Sequence, residues 1–284
     1  DNTTVSMGDG TWTVSGNFDN VSVTTFNRNS STVVMEGTGK TLAGEWNKTL
    51  HNLTIAGSTT VTSLWTYGAV LVQTGASLTG GSPRFRDSTL TNYGTIAGSI
   101  LLQDATVVNA GTWNATSTQT MGNLTLSSAT YGGTWTILKQ YGSSTVTFNG
   151  NTTFTGNVTM NPDDPAYVFT INNGANNPNL IFQGNVSMNE PSTGLMQWTK
   201  GTGTITMSGS NAQQVDLGGK TLEDIIINKT HGTVQFTGTG TTDSLLVSSG
   251  TIDFNGKAIT TIGDLNIGVL GQVEPRGLPG SAIA

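Results

Sequence analysis

Seven times the chain writes Gly-Thr followed by a Trp, Ile or Val, starting at Gly10, Gly94, Gly111, Gly133, Gly203, Gly232 and Gly250. Neighbouring copies start 17 (Gly94 to Gly111), 22 (Gly111 to Gly133), 29 (Gly203 to Gly232) and 18 (Gly232 to Gly250) residues apart. That is the contour of one turn of a β-solenoid or of one long β-hairpin. Glycine permits the bend because it reaches φ > 0 without a Cβ clash, and Thr with a bulky neighbour favours a strand. A short strand-turn sentence repeated at this period implies a stacked architecture. The third slot holds Trp12, Ile96, Trp113, Trp135, Ile205, Val234 and Ile252. Free exchange of Trp with Ile and Val marks a core position, so Trp12, Trp113 and Trp135 are expected to point inward.

The rest of the chain agrees with a strand period. Thr11 to Ser15, Thr145 to Phe148, Thr152 to Thr155 and Thr204 to Ser208 alternate hydroxyl and apolar residues, which gives each strand one apolar and one hydroxyl-rich face. Asp9-Gly10, Asn149-Gly150 and Asn255-Gly256 supply turns. No window shows a capped 3.6-residue period. The expected fold is all-β: a β-solenoid, parallel β-helix-like, of stacked short strands with almost no helix. Tandem β-sandwiches are the alternative.

A longer repeat overlies the short one. Val33 to Gly37 aligns with Ile205 to Gly209, and Lys48 to Ile55 with Lys220 to Ile227, both at an offset of 172 residues. Leu71 to Gly75 aligns with Leu246 to Gly250 at an offset of 175. The Asn52-Leu53-Thr54-Ile55 strand has a further relative in Asn123-Leu124-Thr125-Leu126. Four of the seven prolines, Pro162, Pro165, Pro178 and Pro191, fall between Asn161 and Trp198, and proline cannot donate to a central ladder. The expected division is a first β-repeat region at 1–160, an irregular insertion or seam at 161–198, a second β-repeat region at 199–272, and a tail or linker at 273–284. The chain starts at Asp1, which fits either a removed leader or a cut fragment.

Gly10 to Asn20, Ser31 to Leu42, Leu50 to Ser63 and Ser249 to Thr261 together resemble the degenerate repeats of secreted β-solenoid proteins. Such repeats occur in bacterial and archaeal surface adhesins, in surface-layer or sheath-like proteins, and in fibre proteins of phages and archaeal viruses. The resemblance covers most of the chain and implies an extracellular stack of strands at a cell or virion surface. It reports architecture and leaves the role open.

Composition narrows the roles. Charged residues are 10% of the chain, against ~25% in an ordinary domain, while Thr, Val, Ile and six Trp speak against disorder. There is no cysteine, hence no disulfide and no thiolate chemistry. Net charge is −6 and the 11 Lys and Arg are scattered along the sequence, so no nucleic-acid partner is expected. No apolar run is long enough for a membrane-spanning helix.

Candidate sites are few. Glycoside cleavage needs two carboxylates about one bond. Asp163-Asp164, Glu223-Asp224 and Asp216 with Lys220 are available. Glu223 and Asp224 align with His51 and Asn52, an exchange that marks a solvent-facing edge, and Asp163-Asp164 lies between prolines as in a turn. No catalytic residue, metal site or cofactor is expected; His51 and His231 occupy unrelated repeat positions. Trp46, Trp65 and Trp198 lie outside the Gly-Thr-x pattern and are the candidates for contact with a glycan or a neighbouring subunit. N-glycosylation sequons begin at Asn2, Asn20, Asn29, Asn47, Asn52, Asn114, Asn123, Asn151, Asn157, Asn185 and Asn228.

The expectation is a non-enzymatic extracellular structural protein, a subunit of a surface filament, sheath or fibre that self-associates through β-strand edges. A phage or viral fibre that binds surface glycans, as a homotrimer, is the alternative. A carbohydrate-active β-helix enzyme ranks third.

Overall fold

The computed structural model describes residues 3–138, 142–160, 166–189 and 195–274. Asn2, Asp163, Asp164, Pro162, Pro165, Pro191 and the tail from residue 275 lie outside them. The described chain is all-β and contains no helix. Strands one coil apart pair in parallel, which makes the chain a β-solenoid and excludes antiparallel sandwiches. The chain divides into two compact units, Asp1–Leu126 with Thr130–Gly133, and Ser127–Ala129 with Thr134–Ala284.

In the first unit one core column runs Trp12, Val33, Leu53, Val70, Leu90, Val107, Leu126, each residue the register partner of the next. All are buried except Trp12, which is 43% exposed. The alternation of each strand fixes which residues enter the column; stacking then removes them from water, which no coil achieves alone. The Gly-Thr-x sentence is a coil marker. Thr95-Ile96 stacks on Ser77-Leu78 below and on Thr112-Trp113 above, and the Thr112 N–H donates to the Gly94 carbonyl at 2.8 Å. Trp113 packs edge-on against Tyr131 with ring centroids 5.5 Å apart. Asn92 and Asn109, register partners inside the coils, hydrogen-bond to each other at 2.7 Å.

In the second unit the column runs Phe154, Phe182, Met207, Ile227, Val247, Ile267. Phe154 and Phe182 stack with an interplanar angle of 8°, and Trp135 packs edge-on against Phe154. Thr233-Val234 stacks on Thr251-Ile252. Two asparagine columns run along the outside. Asn151 Oδ1 accepts the Asn179 N–H at 2.9 Å and Asn179 Oδ1 accepts the Thr204 N–H at 3.0 Å. Asn157 and Asn185 repeat this onto Asn185 and Gln214. These amides tie each coil to the next.

Internal duplication is structural as well. Val33, Leu53 and Val70 occupy successive coils in the first unit, as Ile205, Ile225 and Leu245 do in the second. The step from Leu53 to Val70 is 17 residues and that from Ile225 to Leu245 is 20. One coil three residues longer accounts for the change of offset from 172 to 175.

Three expectations change. Trp12 is not a core residue: among the described residues its strand is paired only on the Val33 side, so no coil covers the other face of its ring. The described part of 161–198 is no seam. Strands Phe169–Asn172, Leu180–Phe182, Val186–Ser187 and Met196–Thr199 pair in register with coils on both sides or one, and the unit boundary falls near 127–134 instead. The extra residues lengthen the coils, so Val186 and Val215 are 29 residues apart. At the start of the tail, Val273 pairs with Ile252 and the Glu274 N–H donates to the Ile252 carbonyl, so regular pairing extends to residue 274.

Candidate functional site

On the first unit, side chains from four successive coils gather into an open groove of about 660 Å³ lined by Arg28, Trp46, Asn47, Thr49, Trp65, Tyr67 and Arg86. Strand alternation builds its floor. Thr66 is fully buried, so its neighbours Trp65 and Tyr67 turn outward. One coil on, Phe85 is fully buried, so Arg84 and Arg86 turn outward. Arg84 is the register partner of Trp65 and Phe85 that of Thr66. The cations therefore land beside the aromatic rings by register alone.

Trp46 comes from the loop between strands Lys40–Ala43 and Asn52–Ile55. A turn closes this loop, with the Lys48 N–H on the Glu45 carbonyl at 3.0 Å and a Lys48–Glu45 ion pair at 2.8 Å. Lys48 Nζ also donates to the Val21 carbonyl, and Asn20 Nδ2 donates to the Lys48 carbonyl at 2.8 Å. The loop is thus pinned to the coil beneath it while Trp46 stays 68% exposed.

The groove is an alternation of rings and guanidiniums. Trp46 and Trp65 have ring centroids 6.4 Å apart, tilted by 56°. The Arg84 guanidinium lies 4.4 Å from the Trp65 ring centroid. Tyr67 faces two guanidiniums, Arg28 at 4.3 Å and Arg86 at 5.5 Å. Arg28 also donates to Thr49 Oγ1, and Arg86 Nη1 to the Tyr67 hydroxyl at 3.3 Å. Such contacts are worth roughly 0.5–1 kcal/mol each at exposed sites; here they hold long side chains in fixed places. Among the described residues, the carboxylate within ion-pairing distance of Arg28 and Arg86 is Asp87, 3.4 Å from Arg86 Nε. Among the described residues no Asp or Glu lines the groove.

Two of the three tryptophans singled out from the sequence, Trp46 and Trp65, meet here. Trp198 does not: it lies in the second unit, half-buried, and its Nε1 donates to Glu223 Oε2 at 2.8 Å. Glu223 departs from the expected solvent-facing edge. It is 2% exposed and also accepts the Gly201 N–H at 2.8 Å, so its carboxylate closes a loop against the stack. Asp224 accepts from Ser244 Oγ at 2.7 Å, and Asp216 accepts the Gly218 N–H of its own turn at 2.9 Å. Among the described residues no three His, Asp or Glu side chains gather into a metal-binding group.

Of the sequon asparagines, Asn29, Asn47, Asn114, Asn123, Asn151, Asn157 and Asn228 are exposed, and Asn52 and Asn185 half-buried. Asn20 is 1% exposed with its amide nitrogen committed to Lys48, so the folded chain offers no room for a glycan there. Asn47 lines the groove.

The arginines were missed in the sequence because the cations are scattered along it. Yet three of the four arginines, Arg28, Arg84 and Arg86, converge on this one place. The available signal was Arg84-Phe85-Arg86, an apolar core residue flanked by two outward cations, one coil after Trp65-Thr66-Tyr67.

No family model, no curated protein and no solved structure matches this chain.

Proposed function

We propose that the chain is a non-enzymatic β-solenoid that works outside the cell, at a cell or virion surface, and binds glycans through the groove of its first unit. The observation that carries this is the pair Trp46 and Trp65, set at an angle in an open groove whose walls are polar. Rings of this kind stack on the C–H faces of sugars, and Asn47, Thr49 and the arginines meet the hydroxyls. The groove's lack of a lining carboxylate supports recognition over hydrolysis, which needs a carboxylate pair. The low charge and the hydroxyl-rich outer faces support an extracellular setting.

A glycan array probed with the purified chain tests the reading. Binding is expected, and Trp46→Ala, a change at an exposed loop position, should weaken it about tenfold, the scale of one lost stacking contact. A folded chain that binds no glycan would overturn it.

Assembly through a strand edge is a second reading with its own observation. The last described coil leaves Ile262, Ile267, Val269 and Leu270 exposed, with Val269 fully so. Among the described residues, strand Leu265–Val273 is paired only on the side of strand Leu245–Asp253. An apolar strand edge of this length is a template for another strand.

A further inference from the structure

We infer that the ligand of the groove is an anionic glycan, whose sugars carry carboxylate or sulfate groups; this rests on the glycan-binding reading above. The chain has a net charge of −6 and four arginines. Two of them, Arg28 and Arg86, line the groove, and among the described residues the carboxylate within ion-pairing distance of this pair is Asp87. A neutral sugar would leave that local positive charge without use.

Arginine rather than lysine is the informative choice. A guanidinium laid against a ring keeps its donors around the rim, in the fork that fits a carboxylate or sulfate. Arg28 and Arg86 both line the groove and both lie against Tyr67, with Arg28 further fixed by Thr49 and Arg86 by the Tyr67 hydroxyl. Arg84 stands over Trp65 and backs the ring that the sugar would stack on. Binding then combines a stacking platform, Trp46 with Trp65, and two guanidiniums already held in place. Pre-positioning lowers the ordering cost of binding.

A single-stranded nucleic acid also takes rings and cations. It is disfavoured here because its affinity depends on many phosphate contacts along a basic track, whereas this site offers two lining arginines in an acidic chain.

The test is calorimetric titration of the purified chain with four probes: an oligogalacturonate, a heparin-derived oligosaccharide, a neutral cello-oligosaccharide and an oligothymidylate. At least one acidic sugar is expected to bind at least about tenfold more tightly than the neutral one, with affinity falling as salt rises. Arg28→Gln and Arg86→Gln should each weaken it by about tenfold or more, with circular dichroism showing both variants folded. Trp46→Ala, in an exposed loop, is the control should either arginine variant misfold. A neutral sugar that binds as tightly as both acidic ones overturns the anionic inference and leaves the glycan reading standing. No sugar binding at all overturns both. Tighter binding of the oligothymidylate, or acidic-sugar binding unchanged in the arginine and Trp46 variants, also overturns the inference.

Discussion

Trp12 and Trp135 show what a residue's neighbours decide. Both fill the third slot of the same sentence, but Trp135 is fully buried against Phe154 while Trp12 is 43% exposed, held by a hydrogen bond from Nε1 to the Met7 carbonyl at 2.9 Å. Trp135→Ala should therefore cost about 3–5 kcal/mol, and Trp12→Ala about 2 kcal/mol, since nearly half its area is already in water; urea denaturation followed by circular dichroism compares them. Lys229 makes a different residue-scale case. It is 2% exposed, with Nζ on Gln213 Oε1 at 2.6 Å and the Ser208 carbonyl at 3.1 Å, and no carboxylate among these partners. Burial holds its ammonium below the ordinary lysine range. The unfolded chain then keeps this proton to higher pH than the folded one. Unfolding takes up a proton in the window between the lowered folded value and about 10.4 for a free lysine, so stability from this site rises as pH climbs through that window. Relative to Lys229→Met, whose loss of the Gln213 partner is independent of pH, the wild-type denaturation midpoint should rise toward the alkaline end. A pH-independent difference would remove the argument.

At the scale of the element, the coil turn sets the glycine requirement, and it does so unequally. A Cβ on Gly111 would lie 2.2 Å from the Gly94 carbonyl oxygen directly beneath it, whereas a Cβ on Gly10 would meet nothing within 4 Å. The identical Gly-Thr-Trp motif therefore predicts opposite outcomes. Gly111→Ala should destabilise by about 1–3 kcal/mol, because backbone must shift, and Gly10→Ala should stay within about 0.5 kcal/mol; thermal melts of the two variants separate them. Strand type, alternation and the inward slot were legible in the sequence, since each depends on nearest neighbours along the chain. The coils formed by residues 166–189 and 195–198 were not, because Pro178 and the asparagines around it look like loop. What makes them coils is register, with Asn151, Asn179, Asn157 and Asn185 bonded to backbone of the next turn.

For the whole molecule, stability in a stack is a sum of coil and interface terms, and its outermost coils carry what no neighbour covers. Among the described residues of the second unit that is strand Leu265–Val273, with Ile267, Val269 and Leu270 exposed. If this edge joins copies, sedimentation should show concentration-dependent association that Val269→Lys with Leu270→Lys abolishes, since charges on an edge strand block pairing. A wild-type chain monomeric at all concentrations, or a double variant that associates equally well, would sink that reading. Groove binding should persist in the double variant, because the groove belongs to the first unit.

The sequence by itself determined the strand period, the solenoid class, the duplicated order of coils and the identity of most core slots, because all of these are local patterns repeated at coil length. It also put Trp46 and Trp65 outside the core. Only the tertiary structure decided that Trp46 and Trp65 share a groove with Arg28, Arg84 and Arg86, while Trp198 spends its indole on buried Glu223. The reason is physical: residues up to 58 positions apart (Arg28 to Arg86) become neighbours through parallel register. Register is set by how coils of different lengths stack, and no window along the chain contains it.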